Sequence, residues 1–304
     1  MKNILIYVHT SKFNFEEGGT VVQYLLAKTL EEYGQNVRIY SEIKIDNPIF
    51  SKYYENDFPI DNNAVVIYCE GVAGNPLNAK NVVRWMLSKL GQNVSYNYLN
   101  YWNKNELVYY FNSEEKIANN PDKLGSLFKM LTVIYVNPDA MNYFLPRKGI
   151  CFTIRKQHLI HKKPIKNIHP PNAFEITRKH TQQDYITIFN QYECFISYDS
   201  ITFLVGISAL CGCITVVVPV DGLSKADWLN TLAAADYLKE TGETALYGIA
   251  YGVDDLQYSI NTLHLVREQW NKIVQYNTNK YIPTFINDIN NFENNINTLE
   301  ANFY

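Results

Sequence analysis

The feature that most constrains this chain is a set of short, unbroken runs of aliphatic and β-branched residues: Ile4 to Val8, Ala64 to Cys69, Cys151 to Ile154, Cys194 to Ser197 and Ile214 to Val218. A strand with one face in water alternates apolar and polar residues. An unbroken run is what a strand buried on both faces of a parallel sheet requires. Between the runs come stretches of helical spacing. After the first, Val21, Leu25, Leu26, Thr29 and Leu30 share a helix face, Gly34 ends the helix, and Val37 to Tyr40 reads as the next strand, which together make a β-α-β unit. The same reasoning predicts a helix over Ala79 to Lys89 and a strand over Leu131 to Val136. It predicts further helices over Thr181 to Asn190 and Ile201 to Leu210, the second ended by Gly212, and Pro219 stops the strand that follows. After Val253 the pattern is helical, through Trp270 and again from Phe285 to Leu299. Strands alternating with helices in both halves imply an α/β fold of two Rossmann-like parallel-sheet domains with right-handed crossovers.

The chain has 304 residues, whereas single cores usually stop growing at ~250, so two domains facing a cleft are expected. Pro138, Pro146 and Gly149 punctuate the chain where the halves meet. The division expected is an N-terminal domain over 1–145, a C-terminal domain over 146–275, and a helical segment over 276–304 packing back across the domains. The 27 basic and 30 acidic residues are interspersed, giving a net charge of -3, so nothing marks a nucleic-acid partner. Cys69, Cys151, Cys194, Cys211 and Cys213 lie in or beside apolar runs, as buried thiols of a reducing compartment would. Ile4 to Val8 is too short for a signal peptide or membrane span, and a cytoplasmic location is the expectation. His158 and His161 stand three apart without a third ligand at suitable spacing, so no metal site is expected there. The oligomeric state is left open.

Open α/β sheets bind ligands beyond the carboxyl ends of their strands, which directs attention to the residues just after each run. Tyr198, Asp199, Ser200 and Thr202 follow the run ending at Ser197. Asp199 or Ser200 is placed to cap the next helix, either as a plain cap or as part of an anion site made by free N–H groups and the helix dipole. Arg155 and Lys156 follow the run that starts at Cys151, either as a solvated pair or as the cations that neutralise a diphosphate. No two aspartates stand two apart, and there is neither a Gly-x-Gly-x-x-Gly nor a Walker A sequence, so nicotinamide cofactors and ATP are not indicated. Trp228, in the segment after Ile214 to Val218, is a candidate neighbour of a nucleotide base, and Arg84 and Trp85 are read as packing residues on a helix.

The stretch Asp199 to Gly212 resembles the donor-site element of GT-B-fold glycosyltransferases, in which Glu-x7-Glu precedes Ala-x-Ala-x-Gly and a buried strand. Asp199 stands where the first Glu would be, Cys211-Gly212-Cys213 with Ile214 to Val218 matches the tail, and the second Glu falls on Ile207. The loop glycines Gly18 and Gly19, with Tyr33-Gly34-Gln35-Asn36-Val37, resemble the family's acceptor-domain opening. The resemblance implies a GT-B glycosyltransferase whose donor diphosphate and sugar contact Arg155, Lys156, Tyr198, Asp199, Ser200 and Thr202. Since Ile207 replaces the carboxylate that commonly holds the ribose, the ribose would be held otherwise. The partners implied are a nucleotide-diphosphate sugar as substrate and a glycan or glycoconjugate acceptor, with no cofactor and no metal. If the reaction inverts configuration, a base is needed on the acceptor side, and Glu70, Glu17 and His9 are the candidates, Glu70 first. Two other readings fit the same fold: a nucleotide or sugar-phosphate binding protein without catalysis, and a nucleotide-sugar epimerase.

Overall fold

The computed structural model describes residues 2–8, 17–44, 47–88, 90–91, 94–103, 105–112, 128–155 and 166–293. The chain divides into two compact units, Met1–Tyr135 with Tyr276–Tyr304, and Val136–Gln275.

The first unit holds strands β1 (Asn3–Val8), β2 (Asn36–Ser41), β3 (Ala64–Cys69), β4 (Asn81–Met86), β5 (Leu107–Tyr110) and β6 (Phe128–Met130), with helix α1 (Gly18–Glu32) linking β1 to β2. They form one sheet in the order β2-β1-β3-β4-β5-β6, every pairing parallel. Ile4, Ile6 and Val8 of β1 pack with Tyr24, Leu26 and Leu30 of α1 and with Ile282, Phe285 and Ile289 of the last helix, while Leu5 and Tyr7 point into a second cluster with Val66, Tyr68 and Phe58. Both faces are therefore buried, which is why the strand sequences run unbroken. The last helix is tied down through Asp288, which accepts hydrogen bonds from the Tyr109 hydroxyl (2.6 Å) and Lys129 Nζ (2.6 Å).

The second unit has β7 (Ile150–Thr153), β8 (Phe174–Glu175), α2 (Gln182–Gln191), β9 (Cys194–Ser197), α3 (Phe203–Leu210), β10 (Ile214–Val217), α4 (Lys225–Asn230), α5 (Ala235–Thr241), β11 (Ile249–Tyr251) and α6 (Leu256–Thr262). Its sheet, also parallel, runs β11-β10-β9-β7-β8. Thr181 caps α2 through a capping box with Asp184. Arg147 serves the opposite helix ends, donating to the carbonyl of Phe189 in α2 and, at 2.6 Å, to that of Cys211 after α3, where a cation meets the negative ends of two helix dipoles. Gly212 has φ 81°, and a Cβ there would lie 2.5 Å from Asn142 Nδ2, so this helix end needs glycine on both counts. Helix α7 (Val266–Asn290) follows.

Several expectations are corrected. The helix predicted over Ala79 to Lys89 is strand β4, buried along its whole length, with Arg84 and Trp85 on a strand. Asn81 and Arg84 interrupt the apolar run and mimic helical spacing, yet Asn81 donates to the Ala64 carbonyl (2.9 Å) and Arg84 pairs with Glu106 (2.6 Å) inside the unit. Leu131 to Val136 forms no ladder and instead leaves the sheet after β6, which is the shorter strand Phe128–Met130. The helix expected from Ile201 starts at Phe203 with Thr202 as its cap, the Thr202 hydroxyl accepting from the Leu204 N–H (3.4 Å). The first C-terminal helical stretch begins with the separate helix α6, and a single helix, Val266–Asn290, then runs through Trp270 into the second stretch, whose residues 294–304 lie outside the described residues. Among the described residues no helix is long and apolar enough to cross a membrane.

Candidate functional site

Each sheet has one place where the chain reverses its direction of travel, and there adjoining strands send their following loops to opposite sides. In the first unit it lies between β1 and β3, since β2 is added on one side and β3 to β6 on the other. In the second it lies between β7 and β9, since β8 is added on one side and β10 and β11 on the other. Such switch points open a crevice at the carboxyl ends of the strands, where ligands of doubly wound folds bind.

At the β7/β9 switch point the chain brings together Arg155, one residue beyond Ile154, and the Tyr198-Asp199-Ser200 turn. The Arg155 N–H donates to Asp199 Oδ1 (3.3 Å), so the carboxylate, only 1% exposed, bridges the two strand ends. Asp199 is thus a brace between strands, not the cap of α3. The rest of the turn is fixed from beneath. Ser197 Oγ donates to the Asp199 carbonyl (2.8 Å), and Trp228 Nε1 donates to the Ser200 carbonyl (2.9 Å). The Tyr198 hydroxyl accepts from the Ile168 N–H (2.7 Å) and contacts His169 Nδ1 (2.8 Å), whose ring stacks on Phe152 at 3.7 Å. Trp228 is buried and stacked on Tyr251 (4.9 Å), so it supports the turn from below and offers no face to a base. The Arg155 guanidinium leans on Tyr185, Nη1 lying 3.4 Å from the hydroxyl and Cζ 6.0 Å from the ring centroid. No carboxylate among the described residues pairs with it in an ion pair. Thr202 heads α3 beside this turn. Ile207, on that helix, is buried and apolar. Lys156 lies outside the described residues.

At the β1/β3 switch point stand Glu70, just after β3, and the start of α1, where Glu17, Gly18 and Gly19 lie exposed. Glu17 makes no side-chain cap, and its Oε2 accepts from Thr20 Oγ1 (3.2 Å). Glu70 is 6% exposed, and its two oxygens are held separately, Oε2 by the Leu87 N–H (2.8 Å) and Oε1 by Ser88 Oγ (2.5 Å). Burial pushes its carboxyl above the usual range, against the pull of these two donors. Gly19 approaches the same place, since a Cβ on it would lie 3.7 Å from Leu87 Cδ1. Two buried side-chain oxygens on flanking elements find no hydrogen-bond partner among the described residues, Gln23 Oε1 on α1 and Asn112 Oδ1 just after β5. His9 lies outside the described residues. Ser88, Gln23 and Asn112 escaped the sequence reading, because only the order of strands in the sheet brings Ser88 to Glu70 and puts the other two on flanking elements. Among the described residues no group of three or more His, Cys, Asp or Glu is placed to hold a metal ion.

Two parallel α/β sheets, each with polar residues gathered at its switch point, define a Rossmann-like α/β protein. Neither a protein-family model nor a curated protein sequence matches the chain. Among solved structures, a crystal structure of T4 phage BGT in complex with its UDP-glucose substrate matches over 95% of this chain and 99% of that chain, at 12% identity and a TM-score of 0.47. Likeness of that degree leaves the chain's family open.

Proposed function

We propose that this protein is a glycosyltransferase that moves a hexosyl or related sugar from a nucleotide-diphosphate sugar to a hydroxyl of a glycan or glycoconjugate, without a metal ion. The observation that carries the reading is the β7/β9 switch point, where Arg155 and the Asp199 turn are joined by a hydrogen bond and the cation is left without a carboxylate partner among the described residues. The donor diphosphate binds Arg155 and the N–H groups at the head of α3, with Ser200 and Thr202 as hydroxyl donors and Lys156 as a second cation. Asp199 and Tyr198 hold the turn in shape. The first unit takes the acceptor. Gln23 Oε1 and Asn112 Oδ1 are acceptors waiting for hydroxyl donors, as a polyhydroxylated ligand supplies. Glu70 removes the proton of the attacking hydroxyl while the new bond to the anomeric carbon forms and the bond to the diphosphate oxygen breaks, the leaving group keeping the electron pair. That course inverts the configuration. Glu17 is exposed and less suited to the task, since a base works best where burial raises its affinity for the proton.

The test is release of nucleoside diphosphate from UDP- and GDP-hexoses, with and without sugar acceptors, beside a thermal-shift screen of the free nucleotides. Turnover that falls by about 10²–10³-fold in Arg155→Ala is the expected result, the loss typical of one oriented donor to a developing negative charge. Nucleotide binding with no turnover under any acceptor would identify a binding protein instead, and interconversion of donors without acceptor an epimerase. If no nucleotide shifts the melting transition, the donor site is wrong.

A further inference from the structure

Glu70 lies at the end of one strand and is held by the end of another. Its carboxylate is reached by Leu87 and Ser88, the two residues that follow β4, and β4 is the neighbour of β3 in the sheet. A carboxylate with one fixed donor can still turn about its last torsion, which for glutamate is broad. A carboxylate with a different donor on each oxygen cannot. The 2.8 Å bond from the Leu87 N–H fixes Oε2 to the backbone, and the 2.5 Å bond from the Ser88 hydroxyl fixes Oε1 to a side chain. The backbone N–H groups of Glu70 and Ser88 also favour the ionised carboxylate, and among the described residues the Ser88 hydroxyl is the one side-chain donor that fixes its plane.

We propose that Ser88 is a positioning residue that orients the Glu70 carboxylate toward the acceptor hydroxyl. The inference rests on the reading of Glu70 as the base. It follows from three features together: the switch point beside β1, the burial of Glu70, and the separate anchoring of its two oxygens by Leu87 N–H and Ser88 Oγ. Ser88 does not touch the reacting atoms. The same hydroxyl stabilises the ionised form of Glu70, so its removal has a direction that simple loosening of the loop lacks. The carboxyl becomes harder to ionise, while the Leu87 N–H remains in place.

The experiment compares the full-length protein with Ser88→Ala, Ser88→Thr and Glu70→Gln. The titration of Glu70 is followed by side-chain carboxyl ¹³C NMR, its signal assigned as the one that Glu70→Gln removes. In parallel, release of nucleoside diphosphate from a UDP-hexose in the presence of a sugar acceptor is measured against pH. In Ser88→Ala the Glu70 titration should move to higher pH, the acid limb of kcat/KM should move with it, and kcat should fall by about tenfold or more, part of the 10²–10⁴-fold that a positioned base supplies. Ser88→Thr, which keeps the hydroxyl, should restore both pH values. An unmoved Glu70 titration in Ser88→Ala overturns the inference, whatever the enzyme's turnover. A titration that moves while the acid limb stays fixed also overturns it, and leaves the donor reading standing. If no donor turns over and no nucleotide shifts the melting transition, the glycosyltransferase reading itself fails, and the positioning role of Ser88 fails with it.

Discussion

Replacing Glu106 by alanine should cost about 3–5 kcal/mol of stability, because it strands a charge in the interior of the first unit. Arg84 stands in the middle of β4 with its side chain 0% exposed, and the side chain of Glu106 is 3% exposed. Their pairing is bidentate, Nε to Oε2 at 2.6 Å and Nη2 to Oε1 at 3.0 Å. Two further bonds go to carbonyls, Nη1 to Val72 at 3.1 Å and Nη2 to Gly74 at 2.6 Å, and the guanidinium carbon lies over the rings of Tyr68 (5.0 Å) and Trp102 (5.2 Å). Glu106→Ala removes two charge-assisted hydrogen bonds, each worth about 1.5–3 kcal/mol, and leaves the guanidinium with two carbonyls and no counter-charge. Urea unfolding monitored by far-UV circular dichroism, at unchanged m, is the measurement. The double variant Arg84→Met/Glu106→Leu removes both charges and should recover most of the loss, since a buried ion pair gains little over an apolar pair of similar volume. A loss below about 1 kcal/mol in the single variant, at unchanged m, would refute the reasoning, because it would mean that water reaches Arg84. The network also matters to the site. Val72 and Gly74 belong to the turn that begins at Glu70, so Glu106→Ala should lower turnover under conditions where the protein is still folded.

Other outcomes follow from single contacts. Gly206→Ala should destabilise the second unit by about 1–3 kcal/mol, since its Cβ would lie 2.8 Å from Trp270 Cζ2, and Gly206→Ala/Trp270→Leu should regain part of this in thermal melts. Tyr198→Phe removes the buried hydroxyl that accepts from the exposed Ile168 N–H at 2.7 Å, which should cost about 0.5–1.5 kcal/mol in urea unfolding and weaken donor binding in calorimetry through the loosened turn. The raised folded-state affinity of Glu70 for its proton has a definite sign. Its contribution is fully present below the unfolded carboxyl value and is lost as pH rises through the higher folded value. The stability of the wild type relative to Glu70→Gln should therefore decline as pH rises above about 4.3, the ordinary glutamate value, and a flat difference in urea midpoints would contradict the burial of that carboxyl.

What was legible in the sequence and what was not divides along the range of the interactions. The runs Ala64–Cys69 and Cys194–Ser197 form strands with the ends that composition alone indicates, because burial on both faces leaves its mark residue by residue. Strand β4 was misread because its one charge is neutralised by Glu106, 22 residues away, and nothing local announces that a buried arginine has a partner. The turn after β9 was found because a strand end is a local event. Its cap was assigned to the wrong residue because Asp199 is engaged by the Arg155 N–H, 44 residues distant in sequence, which leaves Thr202 to start α3.

That reassignment changes the chemistry assigned to the turn. A carboxylate exposed at the head of a helix would compete with a diphosphate for the same N–H groups and repel it at short range. With Asp199 buried and accepting from the backbone of the next strand, its charge is directed into the fold and its bond ties the end of β7 to the end of β9. Arg155 gains twice from this arrangement. Its backbone is fixed by Asp199, and its guanidinium rests on Tyr185 with no carboxylate ion pair among the described residues to hold it back. Asp199→Asn is the informative contrast with Arg155→Ala. It keeps an acceptor for the Arg155 N–H and should preserve most donor binding, whereas loss of the guanidinium should weaken it markedly. If Asp199→Asn were instead as damaging as Arg155→Ala, the carboxylate itself would be a ligand-binding group and the division of labour drawn here would be wrong.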